Sequence, residues 1–218
     1  MSEFEHKALY TVPEEVDADW QARRDLAAVL RRVSERCVLT EVGEENLSKA
    51  KALMEEALEL LPTGSTASQA FVNGSYAKDP RVFVDRGAMM GRSNPIAPHM
   101  NIQLDGEEVQ CSLMLGERYV GAPGMAHGGI IAACFDQVSG VCAVHNQYLG
   151  FTASLEIEYI RPVFLHRNIS FRAKVSQRAD RHVVIEAECH ECHELLAKSK
   201  GVFVRVDPEA GAKIFSGG

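Results

Sequence analysis

Hydrophobic positions along the chain follow two periods, a helical one before residue 62 and an alternating one from His99 onward, the latter interrupted by one long apolar run. In the first part Trp20, Arg24, Leu26, Ala27, Leu30 and Val33 form one run, and Leu47, Ala50, Leu53, Met54, Ala57, Leu58 and Leu61 form another. The second places apolar residues three and four apart, as one buried helix face requires. Pro62-Thr63-Gly64-Ser65-Thr66 ends it with breakers and turn formers, and residues 64 to 98 read as a partly irregular connection. Residues 1 to about 62 are therefore expected to form two helices. Isolated helices of this length are marginal in water, so their apolar faces need something to cover.

From His99 the period becomes that of strands. His99–Leu104 and Glu108–Leu115 flank Asp105-Gly106, the pattern of a hairpin. Phe151–Ile160, Ile169–Arg178, Arg181–His190 and Leu196–Val206 follow as four further strands, the last three joined closely enough for an antiparallel meander. In the first of these Phe151, Ala153, Leu155, Ile157 and Tyr159 alternate with Thr152, Ser154, Glu156 and Glu158, which reads as one buried and one wet face. Between the hairpin and these strands lies the apolar run Gly128–Val144. Strands on both sides of one apolar helix give an α+β domain with the helix packed across the sheet.

Composition narrows the picture. Hydrophobic residues make up 46% and charged residues 24%, ordinary for a globular protein, and the net charge of −7 gives no electrostatic reason for a nucleic acid or an anionic membrane as partner. The N-terminal residues have neither a basic nor an apolar leader region, and the apolar run carries Asp136 near its middle and reads as too short for a span. Cys37, Cys111, Cys134, Cys142, Cys189 and Cys192 lack the spacing of a disulfide framework, so buried, reduced thiols and a cytoplasmic setting are expected.

The apolar run also holds the candidate chemistry. Asp136 is its single charged side chain, and a carboxylate removed from water costs several kcal/mol unless partners compensate. It is either a paired structural residue or one on a locally exposed turn of helix, or else a general base or nucleophile tuned by its enclosure. Gly128-Gly129 open the helix, where backbone N–H groups lack helical acceptors and the dipole is positive. Glycine there lets another group approach the backbone, so that a carbonyl could be polarised and an oxyanion held. The same pair would also serve a simple tight turn.

Together these residues carry a resemblance. Gly121-Ala122-Pro123-Gly124-Met125-Ala126-His127-Gly128-Gly129, with Asp136 nine residues after the histidine, resembles the hotdog-fold acyl-CoA thioesterases of the phenylacetate-pathway (PaaI-like) type. Phe151–Tyr159, Arg161-Pro162 and the upstream Asn94-Pro95-Ile96-Ala97-Pro98 extend it over roughly residues 93 to 206. It implies a hotdog domain at 93–207 and does not account for residues 1–92, which are expected from their periodicity to be a helical extension and connecting segment covering part of the sheet or the acyl pocket; residues 208–218 are read as a tail. It also implies roles. Asp136 would activate water or attack the thioester carbon, the Gly128 N–H would polarise the carbonyl, His127 would hold the turn and the Thr152 hydroxyl would assist the water. Gly129 and Arg161 are assigned to substrate binding, Arg161 toward the phosphates of CoA. Some relatives carry an asparagine six residues before the histidine, where this chain has Gly121. Strand alternation sets Thr152 with the polar residues, away from Leu155, in conflict with its implied role.

The expected ligand is an acyl-CoA, with no cofactor beyond the CoA of the substrate and no metal. Cys189-His190-Glu191-Cys192-His193 has ligand chemistry, but Ile185, Ala187 and Cys189 continue a strand alternation and no second pair follows at zinc spacing. Two other classes stay open: a non-catalytic acyl-CoA-binding hotdog module, and a hotdog hydratase or dehydratase. Helix geometry adds one expectation. Gly128 and Asp136 lie eight residues apart, roughly 12 Å along one axis at about 1.5 Å per residue. They can serve one thioester only from different chains, which calls for a homodimer with antiparallel central helices, or a dimer of dimers.

Overall fold

The computed structural model describes residues 10–62, 64, 79 and 81–205. The connection at 65–78 and the tail at 208–218 lie outside the described residues. Six antiparallel strands, β1 (Asn101–Asp105), β2 (Glu108–Met114), β3 (Gly150–Tyr159), β4 (Asn168–Arg178), β5 (His182–Glu191) and β6 (Glu194–Arg205), form one sheet in the order β1-β2-β4-β5-β6-β3. Helices α1 (Ala18–Leu39), α2 (Glu44–Glu59) and the short α3 (Arg81–Asp85) precede the sheet, and α4 (Gly128–His145) is inserted between β2 and β3. The expected hairpin, helix and β4-β5-β6 meander are all present. In the hairpin the loop residues are Gly106-Glu107, since Asp105 already pairs with Glu108, and Gly106 takes the left-handed φ of +60° that glycine tolerates.

The sheet curls around α4, which packs against β2, β3, β4, β5 and β6. Ile131, Cys134, Phe135, Val138, Val141 and Cys142 of the helix are buried, and Phe135 meets Phe171 of β4 edge to face at 4.9 Å between ring centres. With 18 residues α4 is long and apolar enough to cross a membrane by length and composition, but here it is the core helix of a sheet. Cys111, Cys134, Cys142 and Cys189 are buried free thiols, whereas Cys37 and Cys192 are exposed, contrary to the expectation of uniform burial. Burial pushes the Cys111, Cys142 and Cys189 thiols up to about 12.

The N-terminal helices form as expected and differ in what they bury. The buried residues of α1 are Arg24, Ala27 and Arg31; Trp20, Leu30 and Val33 of the expected run are half-buried and Leu26 is exposed. Its contacts are polar because its partner is a loop rich in backbone carbonyls. Arg31 donates to the carbonyls of Arg92 (3.1 Å) and Asn94 (2.9 Å), and Arg24 donates to Asp85 (2.7 Å). Asp85, completely buried, also accepts from Trp20 Nε1 (2.5 Å) and from Ser93 Oγ. Helix α2 has no buried residue at all: Leu47, Leu53, Met54 and Leu58 face solvent in the single chain, so the amphipathic pattern marks a helix whose apolar face its own described chain does not cover.

Candidate active site

The turn before α4 is built on backbone pairing. His127 N–H donates to Tyr119 O (2.8 Å), Ala126 N–H to Val163 O (2.8 Å) and Gly121 N–H to Met125 O (2.9 Å). Gly121 packs so closely that an added Cβ would lie 2.6 Å from His127 Cα. An asparagine, as some relatives carry there, cannot fit this turn.

His127 is the N-cap of α4, and its Nδ1 accepts from Gly129 N–H at 3.0 Å. A side chain at Gly129 would crowd that ring, with a Cβ 3.0 Å from Nδ1. Gly129 is therefore a glycine for the sake of the cap. Gly128 is different. Its φ is not left-handed, and a Cβ there would meet the Tyr159 ring at an ordinary 3.6 Å. The chain's own packing does not demand glycine at 128, and among the described residues no acceptor takes its N–H. A free, positively polarised donor is a place for an oxygen to sit.

Asp136 lies two turns along the helix and is exposed, not enclosed as the apolar run suggested. Cys134, Phe135 and Val138 beside it on α4 are buried, whereas Asp136 stands at the rim of the sheet next to its end strand β3. Thr152 Oγ1 donates to Asp136 Oδ1 at 2.8 Å. The conflict over strand parity resolves through a β-bulge. Thr152 pairs with Phe203 and Ser154 with Val202, so Ala153 is the extra residue that shifts the register. Thr152 thereby shares the helix-facing side with Leu155, Ile157 and Tyr159. Of the five residues expected on the inner face, Leu155, Ile157 and Tyr159 keep that assignment, while Phe151 and Ala153 do not.

Tyr159 was noticed in the sequence only as part of a strand. Its hydroxyl donates to Gly128 O at 2.8 Å. Arg161, two residues on, is half-exposed and engaged by Glu194 (2.7 Å) and by Leu195 O (3.1 Å). Its charge is thus already partnered at the start of β6. Met90 is core, its sulfur accepting from Gln137 Nε2 at 3.5 Å, and His145 bridges Tyr10 OH (3.1 Å) and Gly106 O (2.8 Å). Cys189 is buried in β5 and Cys192 sits in the β5–β6 turn with φ +54°. No group of three or more His, Cys, Asp or Glu is placed to hold a metal among the described residues.

Residues 123–192 match the Thioesterase superfamily. Acyl-coenzyme A thioesterase THEM4 of Mus musculus is 29% identical over 91 residues, covering 41% of this chain and 39% of that protein. The same protein of Rattus norvegicus is 26% identical over 105 residues, 47% and 45% of the two chains. This chain thus spans less than half the length of these curated relatives. A solved thioesterase superfamily protein superposes with a TM-score of 0.72 at 22% identity, over 90% of this chain and 94% of that one. That coverage takes the shared fold beyond the sheet into the N-terminal helices. Residues 123–192 are thus similar to the Thioesterase superfamily, and the sheet wrapped on one central helix is the hotdog fold that the sequence led one to expect.

Proposed function

We propose that this protein hydrolyses an acyl-CoA thioester to the free acid and CoA. The observation that carries the reading is the pairing of a free Gly128 N–H with an exposed Asp136 aligned by Thr152, in a chain similar to acyl-CoA thioesterases. The thioester carbonyl oxygen accepts from Gly128 N–H, at the positive end of α4. Asp136 takes a proton from water as the water oxygen bonds to the carbonyl carbon, and the resulting oxyanion is held by the same N–H. Collapse breaks the carbon–sulfur bond and releases CoA, with the proton passing from Asp136 to sulfur. Direct attack by the Asp136 carboxylate is the alternative chemistry for the same residue.

Both groups act on one thioester only if two chains share the site. Two features support a twofold partner. Among the described residues the outer edge of β3 pairs with no strand, and Asp136 with Gly129 lies on an uncovered face of α4. Antiparallel α4 helices would bring each Gly128 to the partner's catalytic carboxylate.

A thiol-release assay on a panel of acyl-CoAs tests the reaction. Asp136→Asn should keep the fold, because the side chain is exposed, and lose at least about a hundredfold in turnover. Wild-type turnover in that variant sinks the assignment. Mixing tests the sharing. Gly128→Pro removes the N–H, and proline suits a first helical position that follows His127 at ψ 131°. Random pairing of Asp136→Asn with Gly128→Pro chains should restore up to about a quarter of wild-type activity, since half the dimers carry one good site of two. No recovery after confirmed subunit exchange counts against shared sites.

A further inference from the structure

We infer that Tyr159 is a positioning residue for the oxyanion site, locking the Gly128–Gly129 peptide so that the free Gly128 N–H keeps one direction; this rests on the thioesterase reading. The peptide unit joining the two glycines has both of its polar atoms held by side chains. Its N–H donates to His127 Nδ1 at 3.0 Å, and its C=O accepts from Tyr159 OH at 2.8 Å. The preceding peptide, which carries the Gly128 N–H, is held at its other end, where His127 O accepts from Ile130 N–H at 2.9 Å. Two adjacent planes are thus fixed, and the donor between them has no acceptor of its own.

The bond from Tyr159 is not needed to satisfy the carbonyl. Gly128 O lies in the first turn of a helix, where the N–H four residues on already approaches it. The hydroxyl is not buried either: Tyr159 is 52% exposed, so water could serve it, and a bond of this kind adds little net stability. What it supplies is restraint. A Gly-Gly pair is the most mobile dipeptide available, and preorganised donors are effective because they do not have to reorient during reaction. The clamp is also tied to the other half of the site. Tyr159 and Thr152 stand on the same face of β3, one holding the Gly128 peptide and the other Asp136. One strand register therefore sets both.

Tyr159→Phe keeps the ring against Gly128 and removes only the hydroxyl. Three measurements on the full chain test it. The amide order parameters of Gly128 and Gly129 should fall from the rigid level of about 0.85 toward about 0.6. With the best acyl-CoA of the panel, kcat should fall about tenfold while KM changes less than about twofold, the signature of an interaction made in the transition state. The carbonyl stretch of a bound ketone analogue, in which a methylene replaces the thioester sulfur, should lose part of its red shift. Combined with His127→Ala, the second substitution should cost less than it does alone, since both hold one peptide. Unchanged glycine amides, or loosened amides with unchanged kcat, overturn the inference. A rise in KM at constant kcat also overturns it, because Tyr159 would then bind substrate directly. Absence of thiol release by the wild type, with the amides loosened as expected, sinks the thioesterase reading instead and leaves the clamp as a structural fact.

Discussion

Asp85→Asn isolates what holds the N-terminal extension in place. Asp85 is 0% and Arg24 is 5% exposed, and the carboxylate accepts from Arg24 (2.7 Å), Trp20 Nε1 (2.5 Å) and Ser93. An amide of the same size leaves the guanidinium buried without a countercharge and turns a donor toward groups that are themselves donors. Breaking one side of a buried pair costs about 3–5 kcal/mol. The cost falls on α1, whose buried residues are Arg24, Ala27 and Arg31, and not on the sheet around α4. Opening of α1 should become at least a hundredfold more frequent, since about 3 kcal/mol is a factor of more than a hundred at 25 °C. Amide hydrogen exchange measures this: protection of α1 should fall by that factor while protection of α4 holds. Protection of α1 within about threefold of wild type would falsify the argument, and an equal fall in α4 would show that the pair stabilises the whole domain. The pair also has an acid limit. Burial by itself raises the Asp85 carboxyl, but hydrogen bonds from Arg24, Ser93 and Trp20 outweigh it and hold the pKa below the ordinary 3.8. Its contribution is therefore complete above that pH and fades as pH falls through the lower folded value.

Three smaller perturbations follow from the same contacts. Gly121→Asn should lower both melting temperature and turnover, because its Cβ would lie 2.6 Å from His127 Cα; a gain in thiol release contradicts the turn geometry. Glu35→Ala removes the carboxylate that accepts from Glu117 N–H (2.5 Å) and Arg118 N–H (3.3 Å), a cap worth about 1 kcal/mol, read as a fall of a few degrees in a thermal melt. Burial, then the charges of Arg31, Arg118 and Arg92, push His99 down to about 4, so its ring should titrate near that pH by NMR. Because the unfolded ring takes a proton near pH 6.5, acidification between those two values favours unfolding, and a ring midpoint above 6 refutes the placement.

The sheet and its helix were legible because their signals are periodic and local. Ile130 through Val144 leaves almost no polar face, and β3 through β6 alternate between Gly, Pro, Asn and Asp punctuation. What stayed hidden depends on neighbours distant in sequence. No pattern within Phe151–Tyr159 shows that Ala153 is a bulge, since the shift exists only in the pairing with Val202 and Phe203. The α1 run included Arg24 and Ala27 but not Arg31, whose burial hydrophobicity could not show because it reaches the carbonyls of Arg92 and Asn94 about sixty residues away. For Asp136 the sequence left burial and a locally exposed turn both open. An apolar helix suggests burial all round, yet the side of α4 that carries Gly129 and Asp136 is exposed in the single chain.

The extension is not remote from the site. Glu35 of α1 caps the turn at Glu117–Tyr119, and the carbonyl of Tyr119 at the end of that turn accepts His127 N–H at 2.8 Å. From α1 to the residue that caps α4 there is one short turn of chain. On the opposite side Tyr159 of β3 reaches the same glycine pair. The Gly128 donor therefore stands between two independent supports, a helix that docks through buried arginines and a strand whose register is set by a bulge. Asp136 depends on the strand alone, through Thr152. Loosening α1 should thus act on the donor half of the proposed site and spare the carboxylate half, whereas a slip of β3 would disturb both. If the two halves are shared between chains, a subunit with a loosened α1 would still lend a competent Asp136 to its partner, so the defect would be confined to the site that uses its own Gly128.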